Sequence, residues 1–248
     1  MPAPSAVGAL LRTEARLTLR TPAAVVMPVL VPIVAMIVIA AVPAARRPVA
    51  PFGGLSVAHA YMPSLVIFSL TMTTLVVLPS ALGGYRELGY LRRLRTTPAS
   101  PAALLTAFLL LSTAVGLLAA GIITLAPWVF GVAPPSHPVT YTIGVLASLA
   151  AFLSVGTMLC AVIPNPRVAA AVGNVVAALM WFAAGLWYPR AQFPAWLMTL
   201  TDATPGGASA RLLTDAVTGA PTNLWSIGVC VVWAVLGVVI AVRTFRWE

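Results

Sequence analysis

The chain has 248 residues, 60% of them hydrophobic and only 8% charged, with a mean hydropathy of +1.01. Ordinary soluble domains carry about 25% charged residues, so this composition excludes a soluble globular protein and marks an integral membrane protein. The net charge of +9 does not point to nucleic acid, because the arginines flank apolar runs instead of forming one basic surface.

Residues 5–20 open the chain. Arg12, Arg16 and Arg20 recur every four residues on one face, opposite Val7, Leu10, Leu11 and Leu17. That is the pattern of a helix lying in the membrane interface. Glu14 falls among the apolar residues, with no cation three or four positions away. The uncharged run 23–42 is long enough for a first span. Arginines before it and Val42-Pro43-Ala44-Ala45 after it imitate a signal peptide, but the run exceeds the usual ~7–15-residue signal core. Pro28 and Pro32 predict a kink. A loop with Arg46, Arg47 and His59 leads to the second span, 61–82, which is dotted with Ser and Thr.

The stretch 83–101 is the long charged segment between two spans. Gly83-Gly84 is read as a break in the preceding helix, and Pro98 and Pro101 as the start of the next. Between them, residues 85–97 suit a short helix across the membrane face. Glu87 falls on its apolar side with Leu88, Tyr90, Leu91 and Leu94, and again lacks a local cation. The third span is 102–125, the fourth 139–163, then a tight turn at Pro164-Asn165-Pro166-Arg167, and the fifth 168–188. In 189–223, Phe193–Leu200 is too short to cross a bilayer, and Asp202, Pro205, Gly206, Gly207, Arg211 and Asp215 surround it. Two short or re-entrant helices at the outer interface are expected there. The sixth span is 224–242. The fold class expected is all-α, six transmembrane helices in a single domain over 1–248.

Six spans place both termini on one side. Arg12, Arg16, Arg20, Arg86, Arg92, Arg93, Arg95, Arg167, Arg243 and Arg246 fall on that side, ten in all, against Arg46, Arg47, Arg190 and Arg211 on the other. The positive-inside rule therefore predicts cytoplasmic termini and a cytoplasmic 83–101 segment.

No predicted span carries Asp, Glu, Lys, Arg or His near its middle, where ion-coupled carriers place ionisable groups. No phosphate-binding loop ending in Lys and no His-Glu-x-x-His motif occurs. Cys160 and Cys230 lie in separate apolar runs and imply neither a disulfide nor a metal site. An ion-coupled secondary carrier and a lipid-modifying membrane enzyme are the competing readings, and both want ionisable groups that the spans lack. Uphill transport would draw its energy from another subunit.

The run Arg86-Glu87-Leu88-Gly89-Tyr90-Leu91-Arg92-Arg93-Leu94-Arg95-Thr96-Thr97-Pro98 resembles the signature of type-2 ABC exporter permeases, the daunorubicin-resistance permeases among them. Gly185-Leu186-Trp187-Tyr188-Pro189, Phe193-Pro194-Ala195-Trp196 and Thr204-Pro205 resemble a second pattern of that family, after its fifth span. Trp187-Tyr188 departs from the small or phenylalanine-rich residues expected there. The resemblance implies a coupling helix at 85–97, with Arg86, Glu87, Leu91, Arg92, Arg93 and Arg95 engaging a separate ATP-binding cassette subunit. It implies an interfacial helix with Arg12, Glu14 and Arg16 beside that joint. A substrate path between two permease halves would draw on Phe68, Thr71 and Met72 of the second span and Asn174, Met180 and Trp181 of the fifth. An outer gate would include Trp187, Tyr188, Pro189, Pro194, Trp196 and Pro205. Asn174 is more readily a helix–helix hydrogen bonder than a cargo contact, and the aromatics at 187–188 more often an interfacial belt than a cargo cage. The implied assembly is a homodimer, or a pair with a sister permease, with two ATPase subunits that bind ATP and Mg. The chain itself would hold no cofactor or metal. Its setting would be membrane lipid of a bacterial plasma membrane, and its cargo a drug or antibiotic first, a lipid or lipid-linked polysaccharide next.

Overall fold

Two prolines shape the first apolar run. The computed structural model describes the backbone of residues 6–21, 25–87 and 101–244. Within it, Val26–Leu30 forms a π turn leading into helix α2, Val31–Ala41, after an amphipathic helix α1, Ala6–Arg20. Pro32 has no N–H to donate to the Pro28 carbonyl four residues back, so the ladder widens and Val31 N–H bonds the Val26 carbonyl instead. The Pro28 oxygen takes its proton from outside the helix, from Ser69 Oγ at 2.5 Å. The kink expected at this proline pair is thus a π turn.

Ser69 belongs to the next helix pair. Helix α3, Val57–Thr71, runs through a second π turn, Met72–Val77, into α4, Leu78–Glu87. Ser56 caps the start, accepting from His59 N–H at 3.2 Å. Thr71, Thr73 and Thr74 turn their hydroxyls back on the Ile67, Ser69 and Leu70 carbonyls, a habit that bends helices. The break expected at Gly83-Gly84 is absent, and α4 continues through both glycines to Glu87. Gly83 serves close packing instead: a Cβ there would lie 2.7 Å from Pro166 Cβ.

Helix α5, Pro101–Leu125, ends in a 3₁₀ turn closed by Gly131 at φ 82°. Helix α6, Pro138–Val162, stands in the middle of the bundle, and α7, Pro166–Ala183, starts on an Asn165 cap. Then come α8, Ala195–Asp202, α9, Pro205–Thr218, and α10, Leu224–Thr244. Of the segment 189–223, where short or re-entrant helices are expected, α9 is largely buried against α3, α6, α7 and α10. Its small leading residues permit this, since a Cβ on Gly206 would lie 2.8 Å from the Met180 oxygen.

Among the described residues, the segments Val57–Tyr85, Ala102–Phe130, Pro138–Val162, Pro166–Ala183 and Leu224–Thr244 are long and apolar enough to cross a membrane. The sequence reading expects six crossings; the first of them corresponds to the shorter apolar helix Val26–Ala41, and part of its expected start lies outside the described residues. One end of the bundle gathers residues 14, 85 and 166. The other gathers the loops around residues 50, 133 and 192, tied by Gln192 to the Pro51 carbonyl and Ser136 to the Val217 carbonyl.

The second π turn sets how close the neighbours stand. A Cβ on Gly156 of α6 would meet the Thr74 oxygen at 2.1 Å, and one on Gly173 of α7 the Leu75 oxygen at 2.1 Å. Both carbonyls press into bare glycine faces. Gly156→Ala and Gly173→Ala should each cost about 1–3 kcal/mol through forced backbone displacement, read as earlier thermal unfolding in detergent. Gly121→Ala, which meets nothing within 4 Å, should leave the transition in place.

Candidate functional site

Three places bring chemistry-bearing side chains together. The first is the joint between α1 and the end of α4. Arg12 and Arg16 point outward and are exposed, while Glu14 on the other face is only 4% exposed. Its carboxylate accepts from the Tyr85 hydroxyl, which stands 3.0 and 3.2 Å from its two oxygens. Tyr85 in turn packs at a 58° tilt on Phe108 of α5, ring centroids 5.8 Å apart. The carboxylate without a local cation has thus found a phenol. Burial raises the Glu14 carboxyl above its ordinary 4.5, and the Tyr85 hydrogen bond partly opposes that. Arg86 and Glu87 end α4, but their side chains, together with Leu91, Arg92, Arg93 and Arg95, lie outside the described residues.

The second place is the seam between α3 and α7. Trp181 Nε1 donates to Thr71 Oγ1 at 2.7 Å, and its ring lies 4.8 Å from that of Phe68 at a 37° tilt. Trp187 meets Trp181 edge-on at 6.3 Å. Phe68, Thr71 and Trp181 are therefore one cluster. Met72 is half-buried at the start of the π turn. Met180 turns toward α9, its sulfur accepting from Gly206 N–H at 3.2 Å. Asn174 is exposed and donates to the Ala170 carbonyl of its own helix at 2.8 Å. It does not join the Thr71–Trp181 cluster.

The third place was missed by sequence reasoning as a unit. Asp202, 5% exposed, accepts from Arg190 on one oxygen and from Arg211 Nη1 on the other at 2.7 Å. Arg190 also donates to the Ala183 carbonyl at the end of α7 and sits 5.9 Å over the Phe193 ring. Phe193 stacks with Phe182 and Tyr188, at 5.4 and 6.0 Å. This knot fastens the 3₁₀ turn at Arg190–Gln192, α8 and α9 to the top of α7. Of the expected gate residues, Tyr188 belongs to the stack and Pro205 is buried at the start of α9. Pro189 is half-buried, whereas Trp187, Pro194 and Trp196 are exposed. The signal available was one acid flanked by two arginines in a segment between apolar spans, where unpaired charge is costly.

Among the described residues, no group of three His, Cys, Asp or Glu stands close enough to hold a metal. Comparison with known families decides the class. The family model described as ABC-2 type transporter matches residues 5–216. The chain belongs to the ABC-2 type transporter family. It is the membrane-embedded permease subunit of an ABC transporter, a transport subunit that pairs with an ABC ATPase. A search of the curated proteins found no match.

The knot and the joint make opposite demands on the permease. Asp202→Asn takes the ion-pair partner from the buried Arg190 guanidinium, and should destabilise this end of the bundle by about 3–5 kcal/mol, seen as earlier thermal unfolding. At Glu14 the folded pKa is raised, so its stability contribution is full below about pH 4.5 and is lost as pH rises through the folded value. The stability difference between Glu14→Gln and the parent should therefore widen in the variant's favour from pH 5 to pH 8, measured by thermal unfolding.

Proposed function

We propose that this permease serves an ATP-driven exporter of a bacterial plasma membrane, moving a hydrophobic or amphiphilic compound outward from the cytoplasm or inner leaflet. The observation that carries this reading is the family match over residues 5–216. It covers the charged segment 83–101, which stands between spans that hold no ionisable residue near their middle. A chain of that composition has little with which to bind a coupling ion, and its power comes from the ATPase that docks on it.

In this reading the arginine bias puts both termini and residues 85–97 in the cytoplasm. Arg86, Glu87, Leu91, Arg92, Arg93 and Arg95 engage the ATPase, with α1 and its Arg12, Glu14 and Arg16 beside them. Two permease halves, as a homodimer or with a sister permease, stand on two ATPase subunits that hold ATP and Mg. Cargo passes between the halves along the second and fifth spans. The Phe68–Thr71–Trp181 cluster lies on that seam and gives the path an aromatic wall with a hydroxyl. Met72, Met180 and Asn174 are further candidates, although the Asn174 amide is already engaged within its helix. The Arg190–Asp202–Arg211 knot makes the outer segment move as one body with the end of α7, which suits a gate that includes Trp187, Tyr188, Pro189, Pro194, Trp196 and Pro205. Drug or antibiotic is the first choice of cargo, lipid or lipid-linked polysaccharide the alternative.

Reconstitution with the cognate ATPase tests the reading. At least one drug-like or lipid-like compound in a panel should raise ATP hydrolysis, and transport by the permease alone would overturn it. Glu87→Arg should lower cargo-stimulated hydrolysis at least tenfold, about 1.4 kcal/mol. A compensating Arg→Glu at position 92, 93 or 95 should restore part of it.

A further inference from the structure

A cavity beside Glu14 lies off the cargo path proposed above. It is half-open, encloses about 250 Å³ and lies where α1 crosses the second π turn, α4 and α5. Leu17, Phe108, Leu111 and Val115 give it an apolar wall, and Glu14 is the charged side chain that lines it. The volume is close to that of the smallest ligand pockets, ~300 Å³.

The polar lining sets one carboxylate among hydroxyls. The Tyr85 hydroxyl donates to Glu14, Thr21 donates to the Leu17 carbonyl, and Thr73 donates to the Ser69 carbonyl. Those three protons are already committed, and the hydroxyls of Thr18 and Ser112 also line the cavity, while the oxygens of Thr21, Thr73 and the carboxylate keep lone pairs. A carboxylate offers roughly four acceptor sites, and one phenol fills only part of them. An ammonium group brings three donors and no acceptor, the complement of this lining. Phe108 adds a ring face of the kind that attracts cations. A carboxylate or phosphate ligand would meet the like charge of Glu14.

We propose that this cavity binds the ammonium head of an amphiphilic amine, with Glu14 as its counter-ion and the apolar wall holding the start of its hydrocarbon body. Two sources share that chemistry: an aminophospholipid of the surrounding bilayer, or a free lipophilic amine. Only a free amine that is also cargo rests on the transport reading. Binding is a property of the permease alone.

The test uses the purified full-length permease in phosphatidylcholine nanodiscs, whose quaternary headgroups have no N–H donors. Calorimetric titration with decylamine should show saturable binding, and titration with decanol should not. Glu14→Gln should weaken the amine at least tenfold. Val115→Trp, which fills the cavity and keeps the carboxylate, should weaken it as much, and it decides the matter if the first variant misfolds by circular dichroism. In a second arm the discs contain phosphatidylethanolamine. Its retention by the parent, and loss in either variant, by native mass spectrometry assigns the site to bilayer lipid. Decylamine binding without that retention assigns it to a free amine. Equal binding of decanol, unchanged affinity in both variants, or neither amine bound would overturn the proposal. ATPase-driven transport, measured separately, can succeed or fail whichever way the binding falls.

Discussion

Two backbone oxygens, those of Thr74 and Leu75, set the geometry of the bundle. The π turn that carries them lies between α6 and α7, and only the hydrogen faces of Gly156 and Gly173 let the three backbones stand so close. From that approach follow the contacts higher in the seam. Trp181 reaches Thr71 across it, and Met180 turns its sulfur to the start of α9. A π turn shifts the hydrogen-bond register by one residue and redirects every side chain beyond it, which is why such turns gather at working parts of proteins. Here it stands between the aromatic cluster and the Glu14–Tyr85 joint, on the helix that links them.

Charge is handled differently at the two ends. The end with residues 184–223 concentrates it: one buried carboxylate holds two guanidinium groups, and one of these is sandwiched further by a backbone carbonyl and an aromatic face. The arrangement offsets much of the desolvation that any one of these groups would suffer alone. The end with residues 14 and 85 instead shelters a carboxylate behind a neutral phenol. The one is a fastening. The other leaves acceptor capacity in hand beside a cavity.

Much of the fold can be read from the lengths of the apolar runs and from the proline and glycine signals between them, and the charged motif at residues 86–98 led to the right family. Other features had no one-dimensional signal. The second span is apolar or hydroxylic on every side, so its periodicity cannot distinguish an α-helical register from a π turn. Gly83-Gly84 was read as a breaker because glycine is permissive; its use here is to admit Pro166, a contact eighty-three residues distant in sequence. Gly156 and Gly173 look like ordinary small residues until the Thr74 and Leu75 oxygens are placed against them. Asp202 and its arginines are separated by twelve and nine positions, and only the folding back of α8 on α9 makes them a cluster. The roles assigned to Arg92, Arg93 and Arg95 belong to residues outside those described.

The Ser69–Pro28 hydrogen bond makes one apolar helix depend on the next. Without residue 69 the Pro28 oxygen would have a vacancy that hydrocarbon cannot fill. The run is satisfied only because the following hairpin partner lends a proton. The first two apolar helices are therefore matched to one another, the backbone break in the one answered by a hydroxyl of the other.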